Sequence, residues 1–177
     1  MKLRKALLVL VILFTVFANI GCDQATKAAA RASLGNGRVI SVLGGVMILR
    51  YAENDGAFLG LGSRFPQPFK TIFTLILPIA IIAGMIVFLA RAKEIDVLIA
   101  VAAACIMGGG ASNLLDRILY AGRVSDFMNF GIGSFRVTGI LNMADLSITL
   151  GCLLFLLREI RIWRDEKKPR PESPPKE

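Results

Sequence analysis

Two aspartates, Asp126 and Asp145, stand in a polar stretch between two apolar segments, and their setting suits acid–base chemistry. Ionisable side chains are costly at membrane depth, so those that occur there usually serve a function. Two carboxylates held close together cannot both ionise cheaply, and such a pair shares a proton near neutral pH. One carboxylate can then deprotonate a water while the other donates a proton toward a carbonyl oxygen. The sequence therefore predicts a catalytic pair; the alternative is two interfacial carboxylates held by Arg117 or Arg123.

Histidine is absent from the 177 residues, and this narrows the possible chemistry. Ser-His and Cys-His catalysis and histidine-based metal sites are excluded. Cys22, Cys105 and Cys152 show no metal-ligand spacing. We expect Cys105 and Cys152 to be small buried apolar residues, and we expect neither a metal nor a cofactor.

Amide and charged side chains accompany the aspartates at helical spacing. Asn113, Asp116 and Arg117 are spaced i, i+3, i+4, and Asn142 and Asp145 are spaced i, i+3, so each group shares one helix face. Two such faces at the same depth would form one polar site. Asp116 beside Arg117 could equally form an ion pair that closes the helix end.

Two further polar groups lie earlier in the chain. Asp23 and Lys27 are spaced i, i+4, which is typical of an ion pair on a helix surface. Asn54 with Gly56 is typical of a turn.

The composition is that of an integral membrane protein. Hydrophobic residues make up 55% of the chain and its mean hydropathy is +0.64, above what soluble domains of this size reach. We predict a membrane α-helical fold, with one four-helix domain over residues 1–163 and a disordered cytoplasmic tail over 164–177. The spans are predicted at about 6–22, 69–90, 97–115 and 140–157, with an outer β region at about 38–65.

Small residues and one proline predict how the spans pack. The third span is rich in alanine and glycine, which let membrane helices approach closely, so we expect it at the centre of the bundle. Pro78 should kink the second span.

The N-terminal apolar segment admits two interpretations. A basic head, an apolar run and the Gly21-Cys22 pair resemble a cleavable lipoprotein signal peptide. However, Asn19 occupies the position three residues before Cys22, where such sites favour an aliphatic residue. A retained first transmembrane helix is therefore favoured.

The net charge of +8 is best explained by the membrane. Lysine and arginine cluster beside the apolar segments, which indicates orientation in the bilayer and contact with anionic lipid instead of nucleic acid. Their distribution predicts cytoplasmic N- and C-termini. Asp23, Asn54, Asp126 and Asp145 then all fall on the outer side, which supports a single site.

Five sequence blocks surround these candidate positions in a fixed order. They are Asp23-Gln24-Ala25-Thr26-Lys27, Asn54-Asp55-Gly56-Ala57-Phe58, Asn113-Leu114-Leu115-Asp116-Arg117, Val124-Ser125-Asp126-Phe127 and Asn142-Met143-Ala144-Asp145. Together they resemble the signal peptidase II family, the bacterial intramembrane aspartyl proteases that process lipoproteins. The resemblance covers most of the chain, from Lys5 to Leu157.

The resemblance implies an aspartic endopeptidase of the bacterial inner membrane with Asp126 and Asp145 as its catalytic dyad. It implies a prolipoprotein substrate with a diacylglyceryl-modified cysteine, cut on the amino side of that cysteine, and membrane lipid as a further partner, with no nucleic acid and no metal. It also implies that the outer segment forms a small periplasmic β cradle between the first and second helices. The residues implied to bind substrate or shape the site are Asp23, Lys27, Asn54, Gly56, Asn113, Arg117 and Asn142, with Asp116 and Ala144 structural nearby.

The sequence departs from the family pattern at Ser112, Leu141 and Asp55, which leaves open a diverged paralogue. Two other functions also remain open. One is a serine–lysine protease using Ser112 or Ser147 with Lys27. The other is a catalytically diverged four-helix membrane protein that binds lipidated precursors or assists helix-bundle assembly.

Overall fold

The computed structural model describes residues 2–57, 60, 62–92, 95–132 and 135–167. Its α-helices are α1 Lys2–Leu34, α2 Gln67–Thr71, α3 Leu77–Arg91, α4 Val97–Leu119 and α5 Met143–Glu166. Its strands are β1 Val39–Val42, β2 Met47–Asn54, β3 Val124–Ile132 and β4 Phe135–Leu141. Phe58 of the second sequence block and residues 168–177 of the predicted tail lie outside the described residues. Residues 164–166, placed in that tail by the sequence, are helical.

Three helical segments are long and apolar enough to cross a bilayer, judged over the described residues: Leu3–Leu34, Gln67–Arg91 and Val97–Leu119. The second joins α2 to α3 through a π-helical turn at Ile72–Ile76, just before Pro78. A proline leaves an upstream carbonyl without its helical partner, and irregular turns of this kind accommodate that loss. The fourth predicted span corresponds to α5, whose 24 residues reach about 36 Å but include charged residues near both ends.

Helix α1 extends beyond the predicted first span and carries Asp23 and Lys27 on a continuous helix. Alanines at positions 25 and 28–30 favour this continuation because alanine has the highest helix propensity. The helix ends before Gly35, whose N–H donates to the carbonyl oxygen of Arg31 at 3.1 Å. The helical register expected for Asp23 and Lys27 is therefore confirmed.

Helix α4 lies at the centre of the bundle, as its small residues predict. Ala100, Ala102, Ala103 and Ala104 are fully buried. A Cβ atom added at Gly108 would lie 2.9 Å from the Cβ of Asn19 in α1. Alanine and glycine thus bring α1 and α5 into close contact with α4, and these helices carry most of the site.

The outward faces of the long helices are apolar and exposed. Phe14 and Phe17 of α1, Phe88 of α3 and Leu156 of α5 are each about half exposed or more, as expected for side chains that face lipid. Cys105 is buried as predicted. Cys152 is exposed on α5, so its predicted burial is wrong; an apolar run indicates lipid contact as readily as a protein core.

The sheet has four antiparallel strands in the order β1-β2-β3-β4. The prediction of a β region between the first two spans is correct for β1 and β2 but incomplete, because β3 and β4 come from the segment between α4 and α5. Ala52 pairs with Asp126 and Asn54 with Val124, which places a candidate catalytic residue on a strand. The apolar pair Ile140–Leu141, assigned to the fourth span by hydropathy, ends β4 instead.

A small apolar core holds the sheet against α1. Ala30 and Leu34 of α1 pack with Phe127 and Met128 of β3. Burial of such side chains is worth about 25 cal/mol per Å² of apolar surface, so this contact fixes β3 relative to α1.

Candidate active site

Asp126 and Asp145 line one small, partly open cavity. Asp126 lies on β3 and is 2% exposed, and Asp145 lies in the first turn of α5 and is 6% exposed. The cavity has a volume of about 20 Å³. A buried water needs roughly 10–15 Å³ measured in this way, so one water fits between the carboxylates. The other residues lining the cavity are Asn54, Ala57, Asn113, Arg117, Val124 and Asn142.

Asn142 forms hydrogen bonds with both aspartates and so connects β3 to the start of α5. Its side-chain Nδ2 donates to Asp126 Oδ1 at 2.6 Å and to Asn113 Oδ1 at 3.1 Å. Its Oδ1 accepts from the backbone N–H of Asp145 at 2.9 Å, while its own N–H donates to Asp145 Oδ2 at 3.1 Å. This reciprocal capping box begins α5 at Asn142 and orients the Asp145 carboxylate.

Each carboxylate has one further amide partner. Asn54 Nδ2 donates to Asp126 Oδ2 at 3.0 Å, and Asn113 Nδ2 donates to Asp145 Oδ1 at 3.1 Å. Asn54 is itself fixed because its Oδ1 accepts from the N–H of Gly56 at 2.9 Å. The turn predicted for Asn54 and Gly56 is therefore present, and it also holds a side chain against Asp126.

Arg117 lies beside the cavity and keeps one donor free. Its Nη2 donates to the carbonyl oxygen of Gly56 at 2.9 Å, and its Nη1 donates to that of Asn113 at 3.3 Å. Its buried Nε has no hydrogen-bond partner among the described residues. Buried donors are normally paired, so a free one beside a cavity is available to a bound molecule.

A second polar cluster lies behind the cavity and is fully buried. Lys27 Nζ lies 2.6 Å from Asp23 Oδ2 and 3.2 Å from Asp116 Oδ2, and it donates to Asn113 Oδ1 at 2.8 Å. Asp23, Lys27 and Asp116 are each 0% exposed. Asp23 and Lys27 do form the expected ion pair, but it is buried and not on the helix surface. Asp116 pairs with Lys27 and not with Arg117.

Sequence reasoning did not identify Gln24 as a site residue, and it considered Ser112 only as a departure from the family pattern and as a possible serine nucleophile. Gln24 Nε2 donates to Asp116 Oδ1 at 2.9 Å and to Ser112 Oγ at 3.0 Å. Ser112 Oγ donates to Asp23 Oδ2 at 2.7 Å. Gln24 stands next to Asp23 in the sequence, but neighbours on a helix point in different directions, so adjacency alone gives no signal.

The remaining candidates have structural contacts. The backbone N–H of Ala144 donates to Asp23 Oδ1 at 2.9 Å. Ser147 Oγ donates to the carbonyl oxygen of Cys105 at 3.0 Å. Lys27 donates to two carboxylates and is unsuited to act as a base, so the serine–lysine arrangement with Ser112 or Ser147 is absent from the described residues. No three Cys, Asp or Glu side chains in the described ranges group as metal ligands.

Burial and charge affect the ionisation of Asp126. Loss of solvent is the largest effect, and together with the nearby Asp145 carboxylate it raises the pKa of Asp126 from 3.8 to about 7. Hydrogen bonds from Asn54 and Asn142 oppose the rise because they stabilise the charged form. Asp126 can therefore carry a proton near neutral pH, as an acid catalyst requires.

A family model, two relatives and a solved structure are similar to this chain over most of its length. A sequence model of the family described as signal peptidase (SPase) II matches residues 15–161. A lipoprotein signal peptidase of Chlorobium luteolum is 34% identical over 85% of this chain and 92% of its own length. One of Hydrogenovibrio crunogenus is 34% identical over 82% of this chain and 83% of its own length. A bacterial membrane enzyme solved in meso shares the fold, with a TM-score of 0.72 at 24% identity over 94% of this chain and 95% of that one.

Proposed function

Because the chain belongs to the signal peptidase II family, we propose that it is a multi-pass membrane endopeptidase that removes signal peptides from prolipoproteins. The substrate is the diacylglyceryl-modified precursor, and the cut falls on the amino side of the lipidated cysteine. The observation that carries this proposal is the pair of buried aspartates around a cavity that fits one water.

We place four helices across the bacterial inner membrane, with α5 as the fourth and both termini in the cytoplasm. Two observations support this placement. The basic residues cluster at the ends assigned to the cytoplasm. In addition, Lys27 near the end of α1, Arg117 near the end of α4 and Asp145 at the start of α5 share one end of the bundle, here assigned to the periplasmic side.

The two aspartates divide acid and base roles. We assign the proton that the pair shares to Asp126, whose pKa is raised to about 7, and Asp145 then acts as the ionised base. Asp145 takes a proton from the water in the cavity as the water oxygen attacks the scissile carbonyl carbon. Asp126 gives its proton to the carbonyl oxygen, which yields a neutral tetrahedral diol.

Collapse of the diol reverses both proton movements. The carbon–nitrogen bond breaks as Asp145 returns its proton to the leaving amine of the lipidated cysteine. One hydroxyl of the diol returns a proton to Asp126, which leaves a carboxylic acid on the released signal peptide. Atoms and charges balance, and the dyad regains its starting state.

The neighbouring amides and Arg117 hold the reacting groups in place. Asn54, Asn113 and Asn142 fix the carboxylate planes through the hydrogen bonds described above. The free Nε of Arg117 is available to donate to a carbonyl oxygen of the substrate backbone. Oriented donors of this kind stabilise charge that develops during reaction.

The decisive experiment replaces each aspartate by asparagine. We expect Asp126→Asn and Asp145→Asn each to abolish cleavage of a lipidated precursor, measured by gel shift beside an unlipidated precursor. Asp96→Asn is the matched control, because Asp96 caps the far end of α4 and asparagine also caps helices well. If either dyad variant cleaves at a near wild-type rate while inserted and folded, the dyad assignment is wrong.

The alternative of a catalytically diverged protein is not favoured, because both aspartates and their amide partners are present and oriented. Wild-type protein that binds the lipidated precursor without cutting it would restore that alternative.

A further inference from the structure

We infer that Asp23, Lys27 and Asp116 form a buried ionic clamp that sets the separation of the two catalytic aspartates. Lys27 is then a positioning residue and not a substrate ligand. The inference rests on the proposed function, since it concerns the same dyad.

One arm of the clamp holds the helix that carries Asp145. Asp23 Oδ1 accepts from the backbone N–H of Ala144 at 2.9 Å, and Ala144 immediately precedes Asp145. This N–H lies in the first turn of α5, where helical N–H groups lack an intrahelical acceptor. A buried carboxylate from α1 thus fixes the start of α5.

The other arm holds the strand that carries Asp126. Asp116 Oδ2 accepts from the backbone N–H of Ser125 at 3.0 Å, and Ser125 immediately precedes Asp126. A carboxylate from α4 therefore fixes β3 in the same way that Asp23 fixes α5. The two arms are equivalent, because in each one a carboxylate accepts a hydrogen bond from the backbone N–H of the residue before a catalytic aspartate.

Lys27 joins the two arms. Its ammonium group contacts Oδ2 of Asp23 at 2.6 Å and Oδ2 of Asp116 at 3.2 Å. Its third hydrogen bond, to Asn113 Oδ1 at 2.8 Å, turns the Asn113 Nδ2 toward Asp145. Lys27 thus orients the Asn113 amide together with Asn142, which also donates to Asn113 Oδ1, and it links the two elements that carry the aspartates.

The burial of Lys27 favours a positioning role over a role in binding substrate. Lys27 is 0% exposed and is not among the residues that line the cavity. Buried ion pairs contribute little net stability because desolvation offsets their attraction, so geometry is the better reason for one here. Among the described residues, the charged groups that interact with the dyad include Lys27 of α1 and Arg117 of α4, with Asp23 and Asp116 behind Lys27. Strand β2 presents the uncharged Asn54.

The test neutralises one arm at a time, in full-length protein assayed with a lipidated precursor. Asp23→Asn and Asp116→Asn each leave Lys27 with one carboxylate, so a charge-balanced buried pair remains. Lys27→Met is avoided because it leaves two buried carboxylates without a cation. We expect each single variant to lower kcat by about 10- to 100-fold with KM unchanged, as for small misplacements of reacting groups.

The pH–rate profile distinguishes positioning from a general structural role. Two close carboxylates have widely separated apparent pKa values. The difference between these two pKa values sets the pH range over which the pair shares one proton. A loosened clamp lets the aspartates separate, so we expect a narrower profile in both variants. A simple loss of folded enzyme lowers the rate without changing the width. Asp96→Asn, at the opposite end of α4, should retain the wild-type kcat and width.

The clamp is overturned if Asp23→Asn and Asp116→Asn keep the wild-type kcat and profile width. It is also overturned if both variants fail to fold, because the network would then be a requirement for stability. These results differ from failure of the proposed function, in which the wild-type protein itself does not cleave or Asp126→Asn and Asp145→Asn remain active.

Discussion

Asn142 has two roles that can be separated by substitution. Its side chain caps α5 through the N–H of Asp145, and it joins Asp126 to Asn113 through Nδ2. Serine caps helices as well as asparagine does, but it lacks a second donor that could reach both partners.

We therefore expect Asn142→Ser to retain stability and Asn142→Ala to lose about 0.5–2 kcal/mol of it. Both variants should lose about 10- to 100-fold in kcat, because neither orients the Asp126 carboxylate. Thermal unfolding in detergent and cleavage kinetics measure the two effects. Full activity in Asn142→Ser would show that the bridge to Asp126 is dispensable.

The raised pKa of Asp126 predicts how stability depends on pH. In the unfolded chain Asp126 ionises near 3.8, whereas in the folded protein it keeps its proton up to about pH 7. Between these values the unfolded state binds fewer protons, so the free energy of unfolding falls as pH rises from about 4 to 7. Above that range this contribution stays constant.

The midpoint temperature of thermal unfolding should therefore fall as pH rises across this range in the wild-type protein. The fall should be smaller in Asp126→Asn. Asparagine cannot ionise and occupies almost the same volume. Equal slopes in the two proteins would mean that Asp126 ionises normally in the folded state.

At the scale of secondary structure, the contact between α4 and α5 determines where Asp145 lies. A Cβ atom added at Gly109 would lie 2.5 Å from the carbonyl oxygen of Ala144 and 2.9 Å from Ile148 Cγ1. Only glycine allows the start of α5 to approach α4 this closely, and the residue after Ala144 is the catalytic candidate.

Gly109→Ala should cost about 1–3 kcal/mol by overpacking and should also lower kcat, because α5 must shift. Gly84→Ala on α3 is the matched control, since a Cβ atom there has no neighbour within 4 Å. The control should be neutral or slightly stabilising, as for alanine replacing a glycine within a helix. Comparable losses in both variants would contradict the proposed close approach.

At the scale of the whole molecule, the site draws on five elements: α1, β2, α4, β3 and α5 each supply a residue that contacts the dyad or its partners. In the proposed mechanism, a chain without histidine performs acid–base chemistry with two carboxylates, which amides and two buried cations, Lys27 and Arg117, hold in place. Its polar groups gather at one end of the helices, where the cost of ionisation is lower than at the bilayer centre.

The proposed topology is tested with reporter fusions. Green fluorescent protein fused after Glu166 should fluoresce, because the C-terminus is assigned to the cytoplasm, and alkaline phosphatase fused there should be inactive. Alkaline phosphatase fused after Gly122, between α4 and α5, should be active on the outer side. Phosphatase activity at both positions would remove α5 from the set of membrane spans.

The sequence by itself determined the features that depend on local spacing. Hydropathy predicted the positions of the long apolar helices, and small residues predicted that α4 lies at the centre of the bundle. The i, i+3 spacing of Asn142 and Asp145 is realised as a capping box at the start of α5. These features could be predicted because helix periodicity and burial leave their pattern within a few neighbouring residues.

Only the tertiary structure decided which distant residues meet. Strands β3 and β4 were missed because Asp126 and Asn129 of β3, and Thr138 and Gly139 of β4, interrupt the apolar pattern. Pairing of β3 with β2 and of β4 with β3 satisfies their backbone groups in the folded protein. The sequence also did not predict that Asp116 pairs with Lys27 instead of with the adjacent Arg117. Burial requires every charge to find a partner in three dimensions, and the nearest partner in space need not be near in sequence.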